Sequence, residues 1–180
     1  MRITAGSLRG RNIHVPDIAG LRPTPAKVRQ ALFNILGGIE GWQVLDLFAG
    51  SGLMALESIS RGAETAISIE QHHKACDQLQ KIRSEWQLEK SWRILPGEVE
   101  KTLTKLADNN FDLIFADPPY EQGIADQIPA WLGKHGISCR WLVVEEASRA
   151  EPIWPAGWTL MQSRRYGDTC LHFLTMENGK

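Results

Sequence analysis

The sequence predicts an α/β protein of Rossmann-like type, a mostly parallel seven-stranded sheet with a C-terminal antiparallel hairpin, and three observations carry that expectation. From residue 43 onward, short apolar runs alternate with helical patterns. A glycine-rich turn follows the first of those runs directly. Near the end of the chain, two apolar stretches face each other across three residues with no helix between them.

The elements follow in order. Segments 3–6 and 12–15 flank Ser7-Leu8-Arg9-Gly10-Arg11, which reads as a small hairpin lying outside the main core. In Arg22-Pro23-Thr24-Pro25 each proline holds the preceding residue extended, while Thr24 can cap a helix and Pro25 can occupy its first turn. Val28, Ala31, Leu32, Ile35 and Leu36 recur at helical spacing, so a helix is expected over 25–36, ended by Gly37. Strand 44–48, a helix from Gly52 to near Gly62, strand 65–70 and a helix carrying Ala75, Leu79 and Ile82 come next. Strand 93–95, a helix over 98–107, strand 112–116, a helix with Ile124, Ile128 and Trp131, and strand 141–145 continue the βαβ rhythm. Runs 158–164 and 169–176 close the sheet as an antiparallel hairpin around Tyr166-Gly167-Asp168.

At 180 residues and 20.2 kDa the chain fits one domain, with 1–36 as an N-terminal hairpin and helix extension and 43–180 as the catalytic core. A net charge of -1 with 43% apolar residues excludes global disorder and a wholly basic nucleic-acid coat. The apolar runs are far shorter than the roughly 20 residues of a membrane span, and no apolar segment follows the charged start, so a cytoplasmic protein is expected. Cys76, Cys139 and Cys170 match no zinc or redox spacing, and His72-His73 point to different helix faces; no metal site is expected. Charge is uneven, however. Residues 1–30 carry Arg2, Arg9, Arg11, Arg22, Lys27 and Arg29 against Asp17 alone, a net +5 against -6 for the remainder. That segment is a candidate phosphate-binding surface, and equally a solvated basic hairpin.

Two motifs carry chemistry. In Val44-Leu45-Asp46-Leu47-Phe48-Ala49-Gly50-Ser51-Gly52 a glycine turn joins a buried strand to a helix, where the backbone of Gly50 and Gly52 can approach a ligand. Ala55 completes a G-x-G-x-x-A spacing, and Glu70 stands 20 residues beyond Gly50, where an acid binds ribose hydroxyls. Taken alone this allows a dinucleotide enzyme or a ligand-free turn, but Asp46 beside the loop suits the cationic amino-acid end of a ligand better than a pyrophosphate. The second motif, Asp117-Pro118-Pro119-Tyr120, closes the apolar run 113–116. Its prolines remove two N–H donors, leaving carbonyls and a carboxylate. An exocyclic amine of a base needs such acceptors: Asp117 and the Pro118 carbonyl can take its protons while Tyr120 stacks on the ring.

These residues resemble the S-adenosylmethionine-dependent amino-methyltransferases, and the chain as a whole is similar to the RsmD-type 16S rRNA (guanine-N2) methyltransferases. The resemblance runs from Gly6-x-x-x-Gly10-Arg11 through Arg22-Pro23-Thr24, Val28-Arg29, Ala31-Leu32-Phe33-Asn34 and the glycine loop to Tyr166-Gly167-Asp168-Thr169. It implies the class I methyltransferase fold and S-adenosylmethionine as cofactor. Asp46, Phe48, Ala49, Gly50, Ser51 and Gly52 would line its methionine end, Glu70 and Gln71 its ribose, Glu98 and Val99 its adenine. Asp117, Pro118, Pro119 and Tyr120 would receive the target guanine, and Arg2, Arg9, Arg11, Arg22, Lys27 and Arg29 would contact RNA. The implied partner is 16S rRNA or the assembled small ribosomal subunit, with the protein acting as a monomer. The chain departs from the family pattern at Gln71-His72-His73, where an Asp or Arg is usual, and at Leu53-Met54, where smaller residues are common. Rival expectations are a DNA adenine-N6 methyltransferase, disfavoured because 180 residues leave no separate sequence-reading domain, and a non-catalytic RNA-binding ribosome-assembly module. A NAD-linked dehydrogenase would need a hydride-handling pair that nothing in the sequence supplies.

Overall fold

A computed structural model describes residues 1–13, 24–120 and 122–177. Packing divides the chain into two compact units, Met1–Val99 and Glu100–Lys180.

The first unit begins with a loop closed by a single antiparallel bridge between Arg2 and Asn12. The expected pair of strands is reduced to that bridge, and residues 14 and 15 of the second strand lie outside the described residues. Nor does the loop stand apart: Ile3, Leu8 and Ile13 are buried. Helix α1 (Ala26–Leu36) starts after Pro25 and stops at Gly37. Pro25 occupies the cap position without a side-chain cap bond, so the expected Thr24 cap is replaced by proline geometry. The buried stripe of α1 is Val28, Arg29, Leu32 and Phe33, a helix face rotated from the expected one.

Strand β1 (Gln43–Asp46) pairs in parallel with β2 (Thr65–Glu70), and β2 with β3 (Trp92–Pro96). Helix α2 (Leu53–Ser60) links β1 to β2, and α3 (His73–Glu85) links β2 to β3. The three strands are buried over most of their length, as parallel strands with helical crossovers require. The helix expected over 98–107 is only α4 (Val99–Thr102), which tightens into a 3-10 turn over Leu103–Leu106.

In the second unit β4 (Asn110–Ala116) pairs in parallel with β5 (Ser138–Ala147), joined by α5 (Ile124–Lys134). Then β6 (Trp158–Tyr166) and β7 (Thr169–Met176) form the terminal hairpin, with β7 lying antiparallel between β5 and β6. The two-residue connection Gly167-Asp168 is the shortest hairpin loop, and Gly supplies its positive φ of 64°. The seven strands follow a Rossmann-like pattern, hydrogen-bonded in the order β3-β2-β1 in the first unit and β4-β5-β7-β6 in the second, parallel except at the C-terminal hairpin. Among the described residues, no helix is long and apolar enough to cross a membrane, and no group of His, Cys, Asp and Glu side chains could hold a metal ion.

Candidate active site

The glycine loop of the first unit is held by the strand beside it. Ala49 N–H donates to the Ile69 carbonyl at 2.9 Å, and Gly50 N–H donates to Glu70 Oε2 at 2.7 Å. The other oxygen of Glu70 accepts the His72 N–H at 2.8 Å and lies 2.8 Å from His72 Nδ1. Glu70 thus ties the end of β2 to the loop. A carboxylate has about four acceptor positions, so capacity for a ligand hydroxyl remains. Gly97 N–H donates to the Glu70 carbonyl at 2.8 Å, which places Glu98 and Val99 at the same strand ends. Glu98 and Gln71 are exposed, Phe48 half-buried, and Ala49, Ser51 and Val99 buried.

Gly52 has a packing requirement of its own beside the expected approach of a ligand. Its φ is +74°, and a Cβ there would lie 2.5 Å from Leu79 Cδ2 and 2.8 Å from Trp92 Cη2. The glycine is needed so that α3 and β3 can pack under the loop; Trp92, buried and donating its indole N–H to Ser68 Oγ at 3.0 Å, has no room to retreat.

Asp46 is the anomaly of this unit. Its side chain is 1% exposed, yet neither carboxylate oxygen has a hydrogen-bond partner among the described residues. Burial first, and then the nearby Glu70 charge, push its carboxyl up from 3.8 to about 7; the Phe48 and Ala55 backbone N–H groups pull it down without closing a hydrogen bond to either oxygen. Such a group awaits a cation or a set of donors. The sign of the linkage follows. A carboxyl whose folded value is raised takes up a proton on folding, so its contribution is fully present below about pH 4 and lost as pH rises through about 7. Asp46→Asn, which cannot ionise, is expected to raise the unfolding free energy of the ligand-free protein by about 4 kcal/mol at pH 8 and to change it little at pH 4. Urea titrations at both pH values check this, and an equal change at the two would contradict it.

In the second unit β4 delivers Asp117, half-buried, and Pro118, buried, followed by exposed Pro119 and half-buried Tyr120. The Tyr120 hydroxyl donates to Glu145 Oε1 at 2.9 Å and lies 3.2 Å from Thr169 Oγ1. Burial and then the Glu145 charge push the phenol well above its ordinary value, so Tyr120 stays neutral and remains a donor. Glu145, 2% exposed at the end of β5, and Thr169, at the start of β7, are the site residues that the sequence reading missed. A signal existed: Glu145-Glu146 puts two carboxylates at the end of an otherwise apolar buried strand.

The basic segment is only partly a surface. Arg2, Arg9, Arg11 and Lys27 are exposed, and the Arg11 guanidinium lies 4.9 Å from the Trp86 ring centroid. Arg22 lies outside the described residues. Arg29 overturns its assignment to RNA contact. It is 1% exposed and donates to the carbonyls of Thr24 at 2.6 Å and Arg2 at 3.0 Å, with Nε 3.8 Å from Glu57 Oε2. Burial lowers its pKa from the ordinary value. The reason is local: Arg29 shares the buried stripe of α1 with Leu32 and Phe33, and Glu57 on α2 meets it there.

Comparison with known proteins adds the following. The family model described as conserved hypothetical protein 95 matches residues 1–175. The ribosomal RNA small subunit methyltransferase D of Escherichia coli K12 is 32% identical over 185 residues, covering 98% of this chain and 90% of that protein. Its counterpart of the same name from Haemophilus influenzae is 31% identical, covering 93% of this chain and 89% of that one. The solved structure of yhhF from Escherichia coli superposes with a TM-score of 0.86 at 32% identity, covering 99% of both chains. An RNA methyltransferase from Salinibacter ruber, solved with S-adenosyl-L-homocysteine, is similar in fold, with a TM-score of 0.66 at 13% identity, covering 88% of this chain and 97% of that one.

Proposed function

The chain belongs to the ribosomal RNA small subunit methyltransferase D family, and on that premise we propose that it transfers a methyl group from S-adenosylmethionine to the exocyclic N2 of a guanine in 16S rRNA. The single observation that carries the reading is Asp46, a buried carboxylate whose oxygens close no hydrogen bond among the described residues, beside a glycine loop whose Gly50 is held by Glu70. The donor set fits that cofactor: Asp46 receives the cationic amino-acid end, Glu70 a ribose hydroxyl, and Glu98 with Val99 the adenine. Phe48, Ala49, Gly50, Ser51, Gly52 and Gln71 complete the proposed cofactor residues. When bound, S-adenosylmethionine supplies a methyl group already activated by a sulfonium.

The protein's own task is then to hold and orient the base. Guanine N2 is a poor nucleophile because its lone pair is delocalised into the ring. Acceptors at Asp117 and the Pro118 carbonyl take its hydrogens and favour the pyramidal, attacking form, while Pro119 fixes the turn and Tyr120 lies against the base. The proton leaves to water, so no obligatory general base is assigned. Arg2, Arg9, Arg11 and Lys27 contact RNA phosphates, and the base is extruded from its loop to be read. The protein works as a monomer in the cytoplasm on naked rRNA or the small subunit.

Transfer of labelled methyl from S-adenosylmethionine to small subunits, naked rRNA and DNA, followed by nucleoside analysis, tests the reading. N2-methylguanosine in RNA is the expected product. N6-methyladenine in DNA, or no transfer despite cofactor binding, would overturn it.

A further inference from the structure

The second unit carries a row of side chains that base binding at Tyr120 leaves unused. Glu145 on β5 pairs with Leu171 on β7, and Leu171 pairs with Arg164 on β6; the next row in the same sense is Ala147, Thr169 and Tyr166. Directly paired residues share a face of a sheet. Glu145, Thr169 and Arg164 therefore rise from one face, the face on which the Tyr120 hydroxyl touches Glu145 and Thr169. Arg165, by contrast, pairs with Cys170, which pairs with Glu146, and so belongs to the opposite face.

Neighbouring strands lie about 4.8 Å apart, so Arg164 starts roughly 10 Å from Glu145, within the combined reach of an arginine and one nucleotide. Its side chain is exposed on the last strand of the sheet, and its guanidinium makes no ion pair or hydrogen bond among the described residues. The surroundings are acidic: Asp117 and Glu145 would repel an approaching polyanion. A cation set on a strand at a fixed distance from the base-holding tyrosine offsets that repulsion and fixes the register of the strand being read.

We propose that Arg164 binds a backbone phosphate of the RNA strand whose target base is held at Asp117-Pro118-Pro119-Tyr120. The inference rests on the RNA reading of that motif given above. A guanidinium suits the role because its planar fork can meet two phosphate oxygens at once.

The test compares Arg164→Gln, Arg164→Lys and Arg165→Gln with the unaltered protein, in RNA filter binding over a salt series and in methyl transfer to small subunits. Arg164→Gln is expected to raise the Kd and KM for RNA about five- to tenfold and to flatten the slope of log K against log salt by about 0.7, with kcat at saturating RNA and cofactor affinity unchanged. Arg164→Lys keeps the charge and the slope, losing about two- to threefold through the missing fork. Arg165→Gln, the same charge change on the other face, is expected to alter binding less than about twofold. Unchanged cofactor affinity shows each variant to be folded.

Equal effects at Arg164 and Arg165, or an Arg164→Gln variant that binds RNA as the unaltered protein does, would overturn the proposal. If N2-methylguanosine forms and Arg164→Gln matches the unaltered protein, only the phosphate contact falls. If RNA binding depends on Arg164 yet no N2-methylguanosine appears, the contact stands and the reading of the reaction falls. An unaltered protein that binds no RNA removes both.

Discussion

Asp117→Ala is expected to slow methyl transfer by about 100-fold or more while leaving the affinity for S-adenosylmethionine within about twofold. The size follows from the absence of substitutes. The two prolines after Asp117 carry no N–H, so the motif offers an amine acceptors only, and with the carboxylate gone the Pro118 carbonyl is the one acceptor left from the proposed pair. That interaction strengthens as the nitrogen becomes pyramidal and charged, so its loss appears in the rate at saturation and not in cofactor binding. Asp117 belongs to the end of β4, and the proposed cofactor residues belong to β1, β2 and the segments after them, so the two measurements separate. Single-turnover transfer alongside calorimetric titration of the cofactor reads both. Turnover at the normal rate would remove Asp117 from the chemistry.

The second large effect concerns stability. Glu57→Ala is expected to cost about 3–5 kcal/mol of unfolding free energy, because it leaves a buried cation without its counter-charge. Glu57 is fully buried and accepts the Thr4 N–H at 3.0 Å, the Ala5 N–H at 3.2 Å, Arg61 Nε at 3.0 Å and the Thr4 hydroxyl, with Arg29 beyond. Arg61 in turn lies 4.6 Å from the Phe33 ring centroid and donates to Thr4 Oγ1 at 3.1 Å. Removing the carboxylate orphans several donors at once, and each buried orphan costs about 1–3 kcal/mol. Pairing Glu57→Met with Arg29→Met should recover the part of the loss that comes from the Arg29 charge, while Arg61 and the Thr4 and Ala5 donors stay without the carboxylate. Urea midpoints of the three proteins decide it, and a single variant as stable as the unaltered chain would contradict the account.

The same cluster shows where sequence reasoning reached its limit. Strand bounds were legible where alternation and length agree: 65–70 and 169–176 were expected and are the observed β2 and β7. The terminal hairpin was legible too, because helices punctuate every earlier pair of strands, but the place of β7 between β5 and β6 was not. Arg29 was not, since its fate depends on Glu57, 28 positions away, although its i+3 and i+4 neighbours Leu32 and Phe33 marked the buried stripe. Gly52 was legible as a glycine position but not in its cause, which is Trp92 forty residues on. The N-terminal hairpin failed because Gly6-x-x-x-Gly10 is shaped by docking and not by strand pairing. A Cβ at Gly6 would lie 1.6 Å from the Ser60 carbonyl oxygen, and the neighbouring Ser7 N–H donates to that same oxygen at 2.7 Å. In the base motif the acceptors were visible, whereas the Glu145 and Thr169 anchors of Tyr120 needed strand register.

The position of β7 has a temporal consequence. It is the last strand in sequence and yet sits between β5 and β6, so during synthesis those two wait with facing edges and nothing to join them. Closure of this half of the sheet is a late event, since it waits for the last strand to be made. The arriving strand brings Thr169 to the Tyr120 hydroxyl. The anchoring of Tyr120, the residue proposed to lie against the base, is therefore finished by the same event that seals the sheet.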